Sequence, residues 1–202
     1  MNKHSRKYLW MVGVAVCILQ YSAFGSAYYS FGKNINLSFD AENKKTLLKT
    51  NIFVPVHGNV LDLNLALNIK HTSTCDLQIY VKSPTGTVAL INGYDFDTFV
   101  PGRTDFRWTI LDAESPISIN AGASPFAGRF RPNGPDSLTS FYGQQSYGKW
   151  EVWVYDWIYA DTGTFKGARL DFFISPESIF LLPEPVSILI MLIGGIAIRL
   201  KR

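Results

Sequence analysis

The sequence contains few of the residues that most enzyme sites need. It has three histidines and two cysteines in 202 residues. No serine stands in a Gly-x-Ser-x-Gly elbow, the turn that exposes a nucleophile in many hydrolases. His4 and Cys17 fall in the apolar N-terminal region, which leaves His57, His71 and Cys75 for the rest of the chain. Because these three lack zinc-ligand spacing, the sequence predicts a protein without catalytic residues that is not an enzyme.

The N-terminus has the features of a secretory signal peptide. Three basic residues precede an apolar stretch at residues 8–19, and small residues follow up to Ala27. A basic start, a short apolar region and small residues at the cleavage point define such a signal. We therefore predict a signal peptide over residues 1–27, cut after Ala27, and an exported protein.

Export makes the low cysteine content informative. Outside the predicted signal peptide Cys75 is the only cysteine, so no intramolecular disulfide can form. An odd cysteine in an exported protein is either buried and inert or available for a bridge between chains. Its position beside an apolar strand favours burial.

The C-terminal twenty residues combine three features in a fixed order. Pro183, Glu184 and Pro185 come first, an apolar run follows at residues 186–198, and Arg199, Lys201 and Arg202 complete the segment. This arrangement resembles the PEP-CTERM sorting signal, which an exosortase recognises in exported proteins of Gram-negative bacteria. The resemblance implies sorting at Pro183, Glu184 and Pro185.

The physical properties of this segment agree with a membrane anchor. The two prolines fix φ and lack amide donors, which leaves an extended stretch accessible to a processing enzyme. The apolar run is shorter than the roughly 20 residues of a comfortable span. Snorkelling of the three final cations makes up part of the deficit and places the C-terminus in the cytoplasm. An ordinary tail anchor is the alternative.

Removing both ends changes the charge balance. The whole chain has 19 basic and 16 acidic side chains, whereas residues 28–182 hold 13 basic and 15 acidic ones. The alkaline character therefore belongs to the targeting segments. A slightly acidic domain without a basic face does not indicate a nucleic-acid partner.

Between the two ends the apolar residues alternate with a period of two, which is typical of half-buried strands. The first run extends from Leu61 to Ile69. The second, at residues 77–81, leads through a turn cluster at 83–87 into a strand at 87–92 and predicts a hairpin. Three further runs have their apolar positions at Phe106, Trp108 and Ile110, at Trp150, Val152 and Val154, and at Leu170, Phe172 and Ile174.

The sequence predicts an all-β, jelly-roll-like antiparallel β-sandwich at residues 50–175. We expect a lead-in arm or extra edge strand at 28–49 and a linker at 176–182.

The order of these residues resembles the P domain (P/Homo B) of proprotein convertases. The matching positions are Ile69, His71, Asp76, Leu77, Ile79, Val81, residues 83–87, Phe106, Asp112, Gly128, Arg131, Pro132, Leu138, Phe141, Gly143, Gly148, Trp150, Val152, Val154, Asp156, Asp161, Gly163, Leu170 and Phe172. The resemblance implies a jelly-roll sandwich. In convertases this domain follows a subtilisin-like catalytic domain, for which the roughly twenty residues before the matching region are far too few. The resemblance therefore implies the architecture without the peptidase activity.

Three aspartates are candidate calcium ligands. Asp112 and Asp156 each end a strand, and Asp161 follows in the next turn. Calcium prefers clustered carboxylate oxygens on loops, and the resemblance implies calcium binding in some relatives. The alternative is that these aspartates accept hydrogen bonds from backbone amides in turns. Asp95 and Asp97 form a second acidic loop.

Aromatic residues concentrate in one strand. Trp153, Tyr155 and Trp157 alternate with the core face that Trp150 marks. If this face is exposed, the three rings are candidates for stacking on sugars or anchoring a partner. If the sandwich buries both faces of the strand, they are core residues.

These observations lead to one main functional hypothesis and two alternatives. The main hypothesis is a non-catalytic exported protein, sorted by an exosortase, anchored in the inner membrane and then presented at the cell surface or in the extracellular matrix. There its sandwich would serve structural, adhesive or exopolysaccharide-associated binding to a polysaccharide or envelope protein. The first alternative is a calcium-assisted, lectin-like carbohydrate-binding module. The second is an accessory domain that stabilises a separately encoded subtilisin-like protease.

Overall fold

A computed structural model describes residues 25–39, 45–93, 102–158 and 161–176. Within these ranges the chain is all-β, as predicted, with three short 3-10 helices and no α-helix. The strands are β1 (Ala27–Phe39), β2 (Thr46–Val54), β3 (Gly58–His71), β4 (Leu77–Lys82), β5 (Val88–Asn92), β6 (Phe106–Leu111), β7 (Arg129–Phe130), β8 (Gly148–Asp156) and β9 (Gly163–Pro176). In the part of the chain so described, no helix is long and apolar enough to cross a membrane.

Two sheets form a sandwich, which confirms the predicted class. Sheet A has the order β1-β9-β3-β6-β7, and sheet B has the order β2-β8-β4-β5. All pairs are antiparallel except β6 with β7, which is parallel. The predicted hairpin is present as β4 and β5. Residues 28–49, for which the sequence left an arm or an edge strand open, contribute nearly all of β1 and the start of β2, the outer strands of the two sheets.

Strand pairing defines two ends of the sandwich. At the Pro176 end, Gly58 lies opposite Pro176 in sheet A, and Val54 lies opposite Gly148 in sheet B. At the Gly163 end, His71 lies opposite Gly163 in sheet A. In sheet B, the strand-ending Asp156 lies at that same end, because its side chain contacts His71. Each end therefore gathers residues that are far apart in sequence.

The inward faces of both sheets form one continuous core. Trp150 is fully buried and packs edge-on against Phe141 and Phe172, with ring centroids 5.3 and 5.1 Å apart. Its indole nitrogen donates to the carbonyl of Ser146 at 2.8 Å, so the polar atom of this large side chain is satisfied. Burial of each such side chain contributes on the order of 2 kcal/mol. The alternating residues of β3, β4, β8 and β9 supply most of the remaining core.

Three predicted inward positions, Leu61, Trp108 and Ile110, do not belong to the core, and shifts in strand register explain them. Leu61 is exposed because a bulge between Val60 and Asp62 interrupts the alternation. Trp108 is also exposed: its φ of 49° lies in the left-handed region, and the pairing of β6 with β3 shifts at this point. A bulge adds one residue to a strand and reverses the face of those that follow, which a strict period of two does not anticipate.

Candidate functional site

The outer face of sheet B carries the aromatic residues noted in the sequence. β8 turns Trp150, Val152 and Val154 into the core. Trp153 and Tyr155 therefore lie on the opposite, half-exposed face of the strand. Trp157 follows directly and packs against Tyr155, with ring centroids 5.0 Å apart. These rings form a surface rather than a second core layer.

Lysines from the neighbouring strands lie over these rings. The Lys45 ammonium is 3.5 Å from the ring centroid of Trp157, and the Lys49 ammonium is 4.1 Å from that of Trp153. The Lys82 ammonium, from β4 on the other side of β8, lies 5.9 Å from the ring centroid of Trp153. An ammonium group over an indole is attracted by the ring quadrupole. We call these three lysines, together with Trp153, Tyr155, Trp157 and Tyr80, the aromatic–lysine face.

One carboxylate lies within this face. Glu151 accepts a hydrogen bond from the Trp153 indole nitrogen at 2.9 Å, and the ammonium groups of Lys82 and Lys149 lie 3.7 and 3.4 Å away. The indole hydrogen bond, followed by the two lysines, lowers the pKa of Glu151 from its usual value. The side chain therefore stays ionised at neutral pH and is available as a hydrogen-bond acceptor.

The charge of this face differs from that of the domain. Its three lysines and the neighbouring Lys149 face outward, and Glu151 is the one outward carboxylate among the described residues of β2, β4 and β8. Residues 28–182 as a whole hold more acidic than basic side chains. The face is therefore a local positive region with aromatic rings between the charges. Such an arrangement can stack on flat apolar ring faces and pair with anionic groups.

Sequence reasoning identified the rings but missed the lysines. Lys49 lies in β2, where Leu48, Thr50 and Ile52 point inward, so its outward position follows from the same period of two. The outward position of Lys49 could therefore have been predicted from the sequence. Its place beside Trp153 could not, because the pairing of β2 with β8 joins segments about a hundred residues apart and leaves no trace in the local pattern.

Asp156 lies at the Gly163 end, where it is buried against His71. Its Oδ2 is 3.3 Å from His71 Nε2, and both side chains are almost completely inaccessible. His71 Nδ1 is 2.6 Å from the carbonyl oxygen of Ser73, and the amide of Ile158 donates to Asp156 Oδ1 at 3.3 Å. Each carboxylate oxygen of Asp156 therefore already has one partner within the protein.

Asp161 lies at the same end and pairs with a third carboxylate. It accepts a hydrogen bond from the Thr72 hydroxyl at 2.6 Å. Its neighbour Asp76 is buried, and this burial, followed by a side-chain hydrogen bond with Asp161, raises the pKa of Asp76 to about 6. The sequence did not single out Asp76 as a ligand, because it lies in a 3-10 turn before β4.

Asp112 lies elsewhere and has a cation of its own. Arg129 donates to its Oδ2 at 2.6 Å, and the amide of Glu114 donates to its Oδ1 at 2.9 Å. Burial acts to raise the pKa of Asp112, but these hydrogen bonds outweigh it and hold the pKa below its usual value. The carboxylate is therefore ionised and paired.

The expectation that Asp112, Asp156 and Asp161 converge is wrong. Asp112 follows Leu111, which lies opposite Leu65, six residues along β3 from His71. At 3.3 Å per residue this is about 20 Å, too far for one ion to bind all three. Among the described residues, no three His, Cys, Asp or Glu side chains group closely enough to hold a metal ion. Calcium binding itself stays a prediction.

The remaining candidate residues have ordinary surroundings or lie outside the described ranges. His57 stacks on Tyr147 with ring centroids 3.9 Å apart. Cys75 is unpaired and half-buried. Several predicted features lie outside the described residues. They are the signal region before residue 25, the loop with Asp95 and Asp97, the linker after residue 176, the sorting residues Pro183, Glu184 and Pro185, and the anchor with Arg199, Lys201 and Arg202.

Comparison with known proteins gives one family. Residues 60–172, more than half of the chain, match the family model described as the proprotein convertase P-domain. The curated proteins contain no significant match.

Two similar solved structures come from Aeromonas sobria. The complex of its serine protease with the chaperone aligns over 75% of this chain at 16% identity, with a TM-score of 0.43. The serine protease alone aligns over 73% at 17% identity, with a TM-score of 0.40. These alignments cover only 28% and 27% of those longer chains.

Proposed function

The chain belongs to the proprotein convertase P-domain family, and on that premise we propose that it is a non-catalytic exported protein. In this proposal it presents its sandwich at the cell surface and binds an acidic surface polysaccharide through the aromatic–lysine face. The predicted signal peptide and sorting signal deliver it, with an exosortase as the processing partner and the inner membrane as its first location.

The aromatic–lysine face carries the proposal. Its rings lie outside the core, and its lysines place positive charge beside them on a domain that is acidic as a whole. Trp153 and Tyr155 offer apolar surfaces to the CH faces of pyranose rings. Lys45 and Lys49 can leave their positions over the rings, because lysine side chains are flexible, and pair with uronate groups. The ionised Glu151 can accept hydrogen bonds from sugar hydroxyls.

The surroundings of the two described histidines support a non-catalytic role. Both ring nitrogens of His71 face other groups, the Asp156 carboxylate and the Ser73 carbonyl, so no hydroxyl nucleophile lies against them. A catalytic triad needs a base in contact with a nucleophile and oriented by an acid. His57 stacks on Tyr147 at the surface. Neither arrangement has the geometry of such a base.

A polysaccharide-retention experiment tests this proposal. The full chain in detergent is run on native gels containing either alginate, a polyuronate, or dextran, a neutral polymer. We expect retardation by alginate that weakens with salt, since exposed charge pairs are screened, and little retardation by dextran. Trp153→Ala is expected to weaken alginate binding about tenfold, which corresponds to about 1.4 kcal/mol.

The matched control is Trp108→Ala, which removes an exposed tryptophan from sheet A instead of sheet B. It is expected to leave the retardation unchanged. Equal effects of Trp153→Ala and Trp108→Ala would contradict the assignment to the aromatic–lysine face. Equal retardation by dextran would point to neutral sugars, and no retardation by either polymer would remove the polysaccharide from the proposal.

The second candidate function is an accessory role toward a protease. Family membership favours it, because the family model is that of the proprotein convertase P-domain. In this version the sandwich binds and stabilises a separately encoded subtilisin-like protease. Co-expression with subtilases encoded near its gene tests it: an accessory role predicts co-purification and a higher thermal midpoint of the protease.

A further inference from the structure

Exposed aromatic side chains concentrate at the Pro176 end of the sandwich. Four aromatic residues among those the structure describes are strongly exposed, and three of them, Tyr28, Phe53 and Tyr147, lie at this end. Tyr28 is 79% exposed and Phe53 is 57% exposed. Exposed apolar side chains that gather in one region, unlike those scattered singly, mark interaction sites. We call these three residues, with Leu61, the apolar collar.

Pairing within the sheets places the collar around this end. Tyr28 lies opposite Phe173, one position from the Ala27–Ile174 pair, and the two rings stack at 4.5 Å. Phe53 lies opposite Lys149, next to the last pair of β2 with β8. Tyr28 belongs to the outer edge strand of sheet A and Phe53 to that of sheet B. The collar therefore spans both layers of the sandwich.

Phe53 and Tyr147 form one aromatic group on the sheet B side. Their rings meet edge-on at 5.5 Å, and His57 stacks on the other side of Tyr147 at 3.9 Å. Leu61 adds a further exposed apolar side chain at the bulge of β3. These residues hold one another in place and leave apolar surface open to the outside.

The chain leaves the sandwich at this end. β9 ends at Pro176 beside Gly58, and the apolar run begins at residue 186. Nine residues separate them, and even fully extended they span at most about 30 Å. If the run is anchored in a bilayer, the Pro176 end is the part of the sandwich that faces the headgroups.

We propose that the apolar collar inserts into the headgroup region of the membrane that holds the C-terminal run. This inference rests on the proposed membrane anchor. Tyrosine and other amphipathic rings are enriched at this depth, because their apolar bodies and polar tips suit the interface. Lys149 is exposed and lies opposite Phe53, and a cation here faces an anionic lipid surface favourably. Of the acidic side chains nearby, Glu151 pairs with Lys149 at 3.4 Å, and Asp62 accepts hydrogen bonds from the Tyr142 hydroxyl and the Asn64 amide.

This placement orients the whole domain. The collar lies at the membrane, and the acidic Gly163 end with Asp76, Asp156 and Asp161 points away from it. The strands of sheet B then run from the membrane outward, so the aromatic–lysine face is presented sideways to the surrounding matrix. A short linker and an inserted collar together fix an orientation that the linker alone would leave free.

An environment-sensitive dye tests the collar on the full chain. Cys17 and Cys75 are replaced by serine, and a dye is attached at Pro55→Cys, an exposed loop position at the Pro176 end. The matched control carries the dye at Lys70→Cys, which is exposed at the Gly163 end. Each protein is reconstituted into vesicles of phosphatidylethanolamine with a minor share of phosphatidylglycerol. Flotation with the vesicles reports the anchor separately from the dye signal.

The two readouts separate the collar from the anchor. We expect both proteins to float, the dye at position 55 to be quenched several-fold by headgroup nitroxides, and the dye at position 70 to be unaffected. The double change Phe53→Ser and Tyr28→Ser should reduce quenching at position 55 at least twofold while flotation persists. Floating protein with equal quenching at both positions would overturn the collar. Protein that does not float would overturn the proposed anchor, and the collar with it.

Discussion

Two strand-ending aspartates occupy equivalent places in the sequence and very different places in the molecule. Asp156 ends β8 and is buried against the equally buried His71. Asp112 follows β6 and pairs with Arg129, whose side chain is 51% exposed. Both carboxylates are buried, but Asp156 faces a buried histidine, whereas Asp112 faces an arginine that reaches the solvent. What differs is the element packed against it.

The largest expected effect comes from breaking the buried pair. His71→Ala leaves the Asp156 carboxylate without the ring nitrogen at 3.3 Å and opens space beside Phe39, whose ring contacts His71 edge-on. Leaving a buried acceptor without its hydrogen-bond partner costs about 1–3 kcal/mol, and more when the acceptor is charged. We expect His71→Ala to lower the free energy of unfolding by about 3 kcal/mol, measured by urea denaturation.

The Asp112–Arg129 pair supplies the matched control for this measurement. Asp112→Ala leaves Arg129, which is half exposed and can turn to water, and the Glu114 amide without this carboxylate. We therefore expect a smaller loss of about 1–2 kcal/mol. A larger loss for Asp112→Ala than for His71→Ala would reverse the contrast between the two regions. It would mean that the Arg129 contact, rather than the buried histidine, determines stability.

Much of the fold was readable from the sequence, because the core follows a local rule. Leu63, Leu65 and Leu67 are buried as their alternation predicts, and the hairpin of β4 and β5 follows its turn residues. The exceptions, Leu61, Trp108 and Ile110, lie at or just after bulges. A bulge depends on how two strands pair, and local pattern carries no record of the partner strand.

The candidate sites were less predictable, since their partners come from distant segments. His71 and Asp156 are 85 residues apart, and Lys49 meets Trp153 only through the pairing of β2 with β8. The sequence correctly predicted that Trp153 and Trp150 lie on opposite faces of the same strand. It could not show that Asp112 already has a cation, because Arg129 reaches it through a short parallel pairing of β6 and β7.

The second prediction concerns the pH dependence of stability, which should differ between an aspartate with a cationic partner and one without. Burial raises the pKa of Asp76 from 3.8 to about 6. The folded state then binds this proton more tightly than the unfolded chain, so its contribution to stability is present below about pH 4 and lost as pH rises through 6. Asp112 has a lowered pKa, so its contribution is present at neutral pH and lost on acidification. We expect Asp76→Asn to reduce the fall in thermal midpoint between pH 4.5 and 7.5 by roughly 3–5 °C.

We would measure the thermal midpoint across this pH range for three proteins: the wild type, Asp76→Asn and Asp112→Asn. Asp112→Asn is expected to lower the midpoint at neutral pH and to change little below pH 4. If the thermal midpoint of Asp76→Asn has the same pH dependence as that of the wild type, the fall in stability between pH 4.5 and 7.5 comes from another titrating group. The buried contact between Asp76 and Asp161 would then need another explanation.

The smallest expected effect concerns calcium, and it sharpens the contrast between the same two regions. Asp112 pairs with Arg129 and Asp156 contacts His71, whereas Asp161 and its neighbour Asp76 interact with each other rather than with a basic side chain. Only two carboxylates, one of them buried, make a weak site, comparable at best to extracellular modules with dissociation constants of about 1 mM. At roughly 2 mM calcium such a site adds less than about 1 kcal/mol, or about 2 °C in thermal midpoint.

The measurement that decides this point is the difference in thermal midpoint between calcium and EDTA at neutral pH, when Asp76 is ionised. Asp161→Asn should abolish that difference, because it removes one of only two carboxylates. Asp112→Asn should lower both midpoints and leave the difference intact, because its carboxylate lies about 20 Å along the sheet from the Gly163 end. Loss of the calcium response in Asp112→Asn would show that calcium acts at the Arg129 pair, and the separation of the two aspartates would then have to be reconsidered.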